Sequence, residues 1–253
     1  MLTGKQFKRA FISGANNILN HRKDVDALNV FPVPDGDTGT NMSMTSSAAV
    51  RELQVVSDDE DLSVVAAKTA AALLRGARGN SGVILSLVFR GISNGFKGKK
   101  EVGGKDLAAA LTLGKESAYK AVMKPTECTI LTVVRKAAAA AEALALDDCG
   151  AVLDEAYRAA QEALAETPEL LPVLKEAGVV DAGGQGFLYI LDGIRGYINE
   201  GKFIESNDDA SPAKSNAEES KSVVAAASGD IKYGYCSEFL DRKSTRLNSS
   251  HAR

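Results

Sequence analysis

The sequence predicts an all-α, antiparallel bundle over roughly its first 200 residues. Three observations point there. Apolar residues recur at helical spacing in segment after segment, no alternating β-branched run stands between Met1 and Asn199, and alanine-rich stretches such as Ala137 to Ala141 suit close helix contacts.

Taken in order, Thr3 followed three residues later by Gln6 is a capping-box pattern, and Phe7, Phe11, Ile12, Ala15, Ile18 and Leu19 continue from it as a first helix. Further helical periodicity runs through Leu62 to Leu74, Val83 to Ile92, Leu107 to Ala121, Ile130 to Leu144, Val152 to Leu164 and Phe187 to Ile198. Glycine, proline and small polar residues punctuate these segments. This first unit is expected to span residues 1–205. From Ser206 the composition turns to Ser, Ala, Lys, Glu, Asp and Pro without apolar periodicity, which predicts a disordered linker over 206–229. Ile231, Tyr233, Tyr235 and Phe239 then alternate as in a β-strand, so 230–240 reads as the start of a second domain.

A net charge of −3 with scattered lysine and arginine gives no basic stripe, which argues against nucleic acid as a partner. Three widely spaced cysteines (Cys128, Cys149, Cys236), no secretory segment and no apolar run of transmembrane length predict a soluble cytoplasmic protein with free thiols. His21 ends the first helix and His251 lies in the tail, so no histidine constellation exists for acid-base or nucleophilic work.

The most informative stretch is NVFPVPDGDTGTNM, Asn29 to Met42, with two carboxylates, Asp35 and Asp37, in a loop bounded by Pro34 and Gly39. Gly36 lets both aspartates turn toward one point, and Mg²⁺ takes one or two carboxylates plus phosphate oxygens. The plainer alternative is an Asx-type turn whose aspartates satisfy backbone donors. A calcium EF-hand loop is excluded, because its sixth and twelfth positions would be Thr40 and Ser46. A phosphatase-type nucleophile is disfavoured, because Pro32 and Pro34 interrupt the strand it needs.

Arg75 to Gly82 (RGARGNSG) sits between two apolar helices, and its end should present free amides at the second helix. It is no Walker A loop, and either phosphate binding or a tight turn fits it. Val179 to Gly186 (VVDAGGQG) is a second glycine cluster before a helix, without the strand or spacing of a dinucleotide fingerprint. In Lys124 to Leu131 (KPTECTIL), Thr126 or Thr129 is available as a helix cap.

Together NVFPVPDGDTGTNM, RGARGNSGVIL, KPTECTILTVVRKAA, GVVDAGGQGF and IKYGYCSEFL resemble the ATP-binding subunit of bacterial fatty acid kinase, from near Met1 to Leu240. The N-terminal part is also similar to the nucleotide-binding subunit of dihydroxyacetone kinase. The resemblance implies an up-and-down barrel of about eight amphipathic helices holding ATP at one end. It places two Mg²⁺ ions on Asp35 and Asp37 with a third position at Asn29 or Asp26. It sets Thr38, Thr40, Asn41, Gly79, Asn80 and Ser81 around the phosphates, and Thr129, Asp181 and Gly183 near the rest of the nucleotide.

The activity it implies is transfer of the γ-phosphate to a fatty acid delivered by a separate lipid-binding partner, with a homodimer allowed for the full-length protein. A dihydroxyacetone kinase-like subunit and a non-catalytic nucleotide- or lipid-binding module are the alternatives. Two positions depart from the pattern: Thr38 stands where the dihydroxyacetone kinase branch has histidine, and Cys128 where glycine usually precedes the threonine. After Leu240 the pattern breaks. Asp241 to His251 (DRKSTRLNSSH) is similar to one reading frame of a common sequencing-library adapter, so 241–253 is expected to be an artefact and the natural chain to continue past Leu240.

Overall fold

The computed structural model describes residues 1–122 and 125–207. The expected linker beyond Asn207, the segment 230–240 and the tail 241–253, with Cys236 and His251, lie outside the described residues. Helix α1 (Gly4–Asn20) starts at the capping box, where the Gln6 N–H donates to Thr3 Oγ1 at 3.3 Å and the Thr3 N–H donates to Gln6 Oε1 at 3.0 Å. Just before it, β1 (Leu2–Thr3) pairs antiparallel with β2 (Glu101–Val102), a contact too short to show as an alternating pattern.

The remaining helices are α2 (Arg22–Ala27), α3 (Thr38–Gln54), α4 (Leu62–Arg75), α5 (Gly79–Gly95), α6 (Gly104–Ala121), α7 (Ile130–Leu144), α8 (Cys149–Ala165), α9 (Thr167–Leu170), α10 (Pro172–Ala177) and α11 (Ala182–Glu200). With α1, eight of the helices among the described residues are 14 to 19 residues long. These eight pack in the ring α1, α3, α4, α5, α6, α7, α8, α11, which closes where α11 meets α1. This is the up-and-down barrel that the sequence led us to expect, with three short helices in its connections.

The barrel core is apolar. Phe11 meets Phe89 edge-on with centroids 5.0 Å apart, and Phe7 meets Phe96 at 5.9 Å. Each such side chain contributes about 1.5–3 kcal/mol by leaving water, and edge-on rings add to that. Among the described residues no helix is long and apolar enough to cross a membrane. Cys128 and Cys149 are free and buried.

Periodicity did not predict α3, because polar residues interrupt the apolar stripe on its buried face. That face carries Gly39, Met42, Ser43, Thr45, Ser46, Ala49 and Leu53. Ser43 and Thr45 return their hydroxyls to the helix, donating to Thr40 O at 2.9 Å and Asn41 O at 2.7 Å, so each hydroxyl proton is satisfied on burial. Thr38, Thr40 and Asn41 therefore stand on the first turn of a helix and not in a loop.

After α11 the chain lies back along α1. Ser13 Oγ accepts the Ile204 N–H at 3.1 Å, Asn16 Nδ2 donates to Ile204 O at 2.8 Å, and Asn20 Nδ2 donates to Glu205 O at 2.9 Å. The Asn207 N–H donates to Asn20 Oδ1 at 2.8 Å. Residues 13, 16 and 20 share one helix face, so a single polar stripe holds this strap.

Candidate functional site

An antiparallel ring points alternate helices the same way. The N-termini of α3, α5, α7 and α11 consequently reach one end of the barrel, where Thr38, Gly79, Ile130 and Gly183 line a cleft of about 630 Å³. Each N-terminus carries about half a positive charge and its first N–H groups have no partner within the helix, so this end of the barrel favours negative charge; carboxylates already take the Thr40 and Gly184 N–H groups there.

Two carboxylates face that positive field. Gly36 takes φ +66°, a left-handed turn that glycine adopts without strain, and Asp35 and Asp37 both line the cleft. Asp37 occupies the N-cap of α3, yet its side chain makes no capping bond. Asp35 Oδ1 accepts from Asn29 Nδ2 at 2.6 Å, and Asn29 is buried in the same wall. Two carboxylates and one amide form an all-oxygen donor set, which fits Mg²⁺. Among the described residues no group of three or more His, Cys, Asp and Glu side chains gathers around a point, so the remaining donors would be water and phosphate.

The alternative third position, Asp26, is engaged elsewhere. Its carboxylate accepts the Thr40 N–H at 2.9 Å and the Thr40 hydroxyl at 2.7 Å, capping α3 from α2. Thr40 is the one predicted phosphate residue that does not line the cleft; Thr38, Asn41, Gly79, Asn80 and Ser81 all do. Asn41 abuts Gly79, itself at φ +57°, and the Arg78 N–H donates to Thr45 Oγ1 at 3.0 Å, which seats the start of α5 against α3.

Thr129, Asp181 and Gly183 also reach the cleft. Thr129 holds the N-cap position of α7 but does not cap it: its hydroxyl donates to Thr126 O at 2.8 Å. Cys128 takes φ +69°, and its N–H donates to Thr132 Oγ1 at 2.7 Å. The glycine expected at this position would adopt that conformation freely, whereas cysteine adopts it under strain. Burial pushes the Cys128 thiol up. The carboxylate of neighbouring Glu127 accepts from Thr132 Oγ1 at 2.5 Å, Arg135 at 2.9 Å and Tyr119 Oη at 3.0 Å. Partial burial opposes its charge, but these three donors hold the Glu127 carboxyl below its usual range. Burial pushes the Asp181 carboxyl up to about 6, against backbone N–H groups of Gly184 and Ile130 that pull it down.

Sequence reasoning missed the apolar wall of the cleft, which includes Phe31, Val33, Val83, Ile84, Leu87 and Leu131. Most of these look like ordinary helix stripe. The available signal was Val33 and Val83, apolar residues inside or beside the polar motifs that stay 58% and 44% exposed.

The DAK2 domain family model matches residues 32–196, which spans every one of the cleft-lining motifs after Asn29 and Phe31. The chain belongs to the DAK2 domain family. This DAK2 chain is 43% identical to protein YloV of Bacillus subtilis over 247 residues, covering 95% of the chain and 44% of that protein. It is 41% identical to an uncharacterized protein of Staphylococcus haemolyticus over 244 residues, again covering 95% and 44%. The chain thus spans less than half the length of these curated relatives. In fold the DAK2 domain is similar to the dihydroxyacetone kinase from C. freundii solved with AMP-PNP and Mg²⁺, with TM-score 0.58 and 20% identity over 75% of this chain and 33% of that one. The native form of that kinase gives TM-score 0.54 and 22% identity over 75% and 34%.

Proposed function

We propose that this chain is the magnesium-ATP-binding component of a two-component kinase that phosphorylates a fatty acid presented by a separate lipid-binding partner, giving an acyl phosphate. One observation carries the reading: four helix N-termini and the Asp35–Asp37 pair converge on one cleft. Positive helix ends suit a polyphosphate, and the carboxylates suit the cation that accompanies it. The fold shared with a kinase solved with AMP-PNP and Mg²⁺ supports the same ligands.

In this reading Asn29, Asp35 and Asp37 hold Mg²⁺, which when bound offsets phosphate charge in the transferring group. Thr38, Asn41, Asn80 and Ser81 surround the phosphates, and the amides at the start of α5 point into the negative charge. Thr129, Asp181 and Gly183 line the same cleft from the starts of α7 and α11 and lie near the rest of the nucleotide. A fatty-acid carboxylate has a pKa near the ~4.3 of glutamate and is already a nucleophile at neutral pH, so the scarcity of histidine is no obstacle.

A dihydroxyacetone kinase-like subunit is the second reading, supported by the shared fold. Thr38 in place of histidine favours the fatty-acid acceptor. A purely regulatory nucleotide- or lipid-binding module is disfavoured by the presence of both loop aspartates. Thermal melting tests the nucleotide reading: magnesium and ATP together should raise Tm where ATP with a chelator does not. No shift under either condition would contradict it.

A further inference from the structure

Between α6 and α7, Val122, Thr126 and Thr129 line the cleft. Among the described residues no backbone-to-backbone hydrogen bond holds Pro125 to Cys128, so side chains fix the path of the chain there. One carboxylate collects most of those bonds. Glu127 Oε1 accepts from Tyr119 Oη, in the last turn of α6, at 3.0 Å. Glu127 Oε2 accepts from Thr132 Oγ1 at 2.5 Å and from Arg135 Nη2 at 2.9 Å, both on α7. Arg135 Nε donates to Tyr119 Oη at 3.3 Å, which closes a ring through α6, Glu127 and α7.

Thr132 couples this ring to the backbone. Its hydroxyl proton goes to Glu127, and its oxygen accepts the Cys128 N–H at 2.7 Å, at the residue whose φ of +69° turns the chain into α7. Thr129 follows, and its hydroxyl reaches back to Thr126 O at 2.8 Å. An ion pair alone does not account for the arrangement. The Arg135 and Glu127 side chains are 40% and 50% exposed, and a pair so open to water adds little to global stability. Glu127 does not line the cleft itself. What its bonds fix is local, a stretch that has no backbone bonds of its own and leads into Thr129.

We infer that Glu127 is a positioning residue: by tying the chain ahead of α7 to Tyr119, Thr132 and Arg135, it sets where Thr126 and Thr129 stand in the cleft wall, and so how the nucleotide fits there. The binding half of this inference rests on the nucleotide reading of the cleft; the tie itself does not.

The test compares Glu127→Ala, Thr132→Val and the double variant, by amide exchange at Cys128 and by Mg-ATP titration on the same preparations. Glu127→Ala removes the ring and leaves the Thr132 hydroxyl free to rotate, so Cys128 exchange should quicken by about tenfold or more. Mg-ATP affinity should fall about fivefold or more in each single variant. Two residues that act through one tie cannot break it twice, so the double variant should bind within about twofold of the weaker single variant. Unchanged Cys128 exchange in Glu127→Ala overturns the tie whether or not nucleotide binds. Faster exchange with Mg-ATP affinity within about twofold of wild type overturns the positioning role. Losses that multiply in the double variant also overturn it, since they mark two separate kinds of damage. If wild type itself fails to bind Mg-ATP, the proposed function falls, and with it the positioning role, while Cys128 exchange still decides the tie. Thr132 is buried; should Thr132→Val fail to fold, the half-exposed Arg135→Gln takes its place in the cycle with the same expected outcomes.

Discussion

Asp26 holds Thr40 at two points, accepting its N–H at 2.9 Å and its hydroxyl at 2.7 Å across fourteen residues of sequence. This bond performs the capping of α3 that Asp37, the residue in the N-cap position, leaves undone. Asp37 is thereby left with its carboxylate toward the cleft. Removing the cap by Asp26→Ala should destabilise the chain by about 1–3 kcal/mol in urea denaturation, with Asp26→Asn milder. A loss under about 0.5 kcal/mol for Asp26→Ala would show that α3 does not depend on this contact.

Cys128 sits at φ +69° with its side chain buried. Glycine relieves about 1 kcal/mol of backbone strain there but gives up a similar amount of side-chain burial. Cys128→Gly should therefore lie within about 1 kcal/mol of wild type, whereas the β-branched Cys128→Val should lose about 2 kcal/mol or more. Equal stabilities for the two variants, read from denaturation midpoints, would contradict the strain at this position.

The Asp181 carboxyl is raised to about 6 in the folded chain, against about 3.9 for an unperturbed aspartate. Between those values the folded chain binds more protons than the unfolded one. The group's contribution is thus fully present below about pH 4 and is lost as pH rises through 6. The gap is equivalent to about 3 kcal/mol at most. The stability of wild type minus that of Asp181→Asn should fall from pH 4 to pH 7 and stay level above it. A difference that rises over this range would mean that the buried carboxyl is not raised.

The strap along α1 rests on side-chain bonds from Asn16 and Asn20 to the backbone of Ile204 and Glu205. Replacing both asparagines with alanine should cost about 1–2 kcal/mol and speed amide exchange at Ile204. Unaltered exchange at Ile204 would mean that the strap holds by other contacts.

Where apolar residues line a helix the fold was legible in the sequence: α1, α4 to α8 and α11 all carry a stripe that ends in the core. α3 was hidden because Ser43, Thr45 and Ser46 occupy buried positions that periodicity expects to be apolar. α2, α9 and α10 run six residues or fewer, too short for any period to show. In the cleft, Asp35, Asp37 and the glycine loops announced themselves by unusual residue types in a row. The Asp26–Thr40 bond and the strap did not, because each joins a side chain to backbone outside its own helix, and no local pattern encodes that.

In the proposed function Asp35 and Asp37 hold the magnesium of a bound Mg-ATP. Isothermal titration of Asp35→Asn and Asp37→Asn, with circular dichroism to verify that helical content is kept, tests it most directly. Each variant should lose magnesium-dependent ATP binding, because each removes one of the two carboxylates that line the cleft from the segment before α3. Mg-ATP affinity within about threefold of wild type in both variants, a shift of only ~0.7 kcal/mol, would contradict the claim.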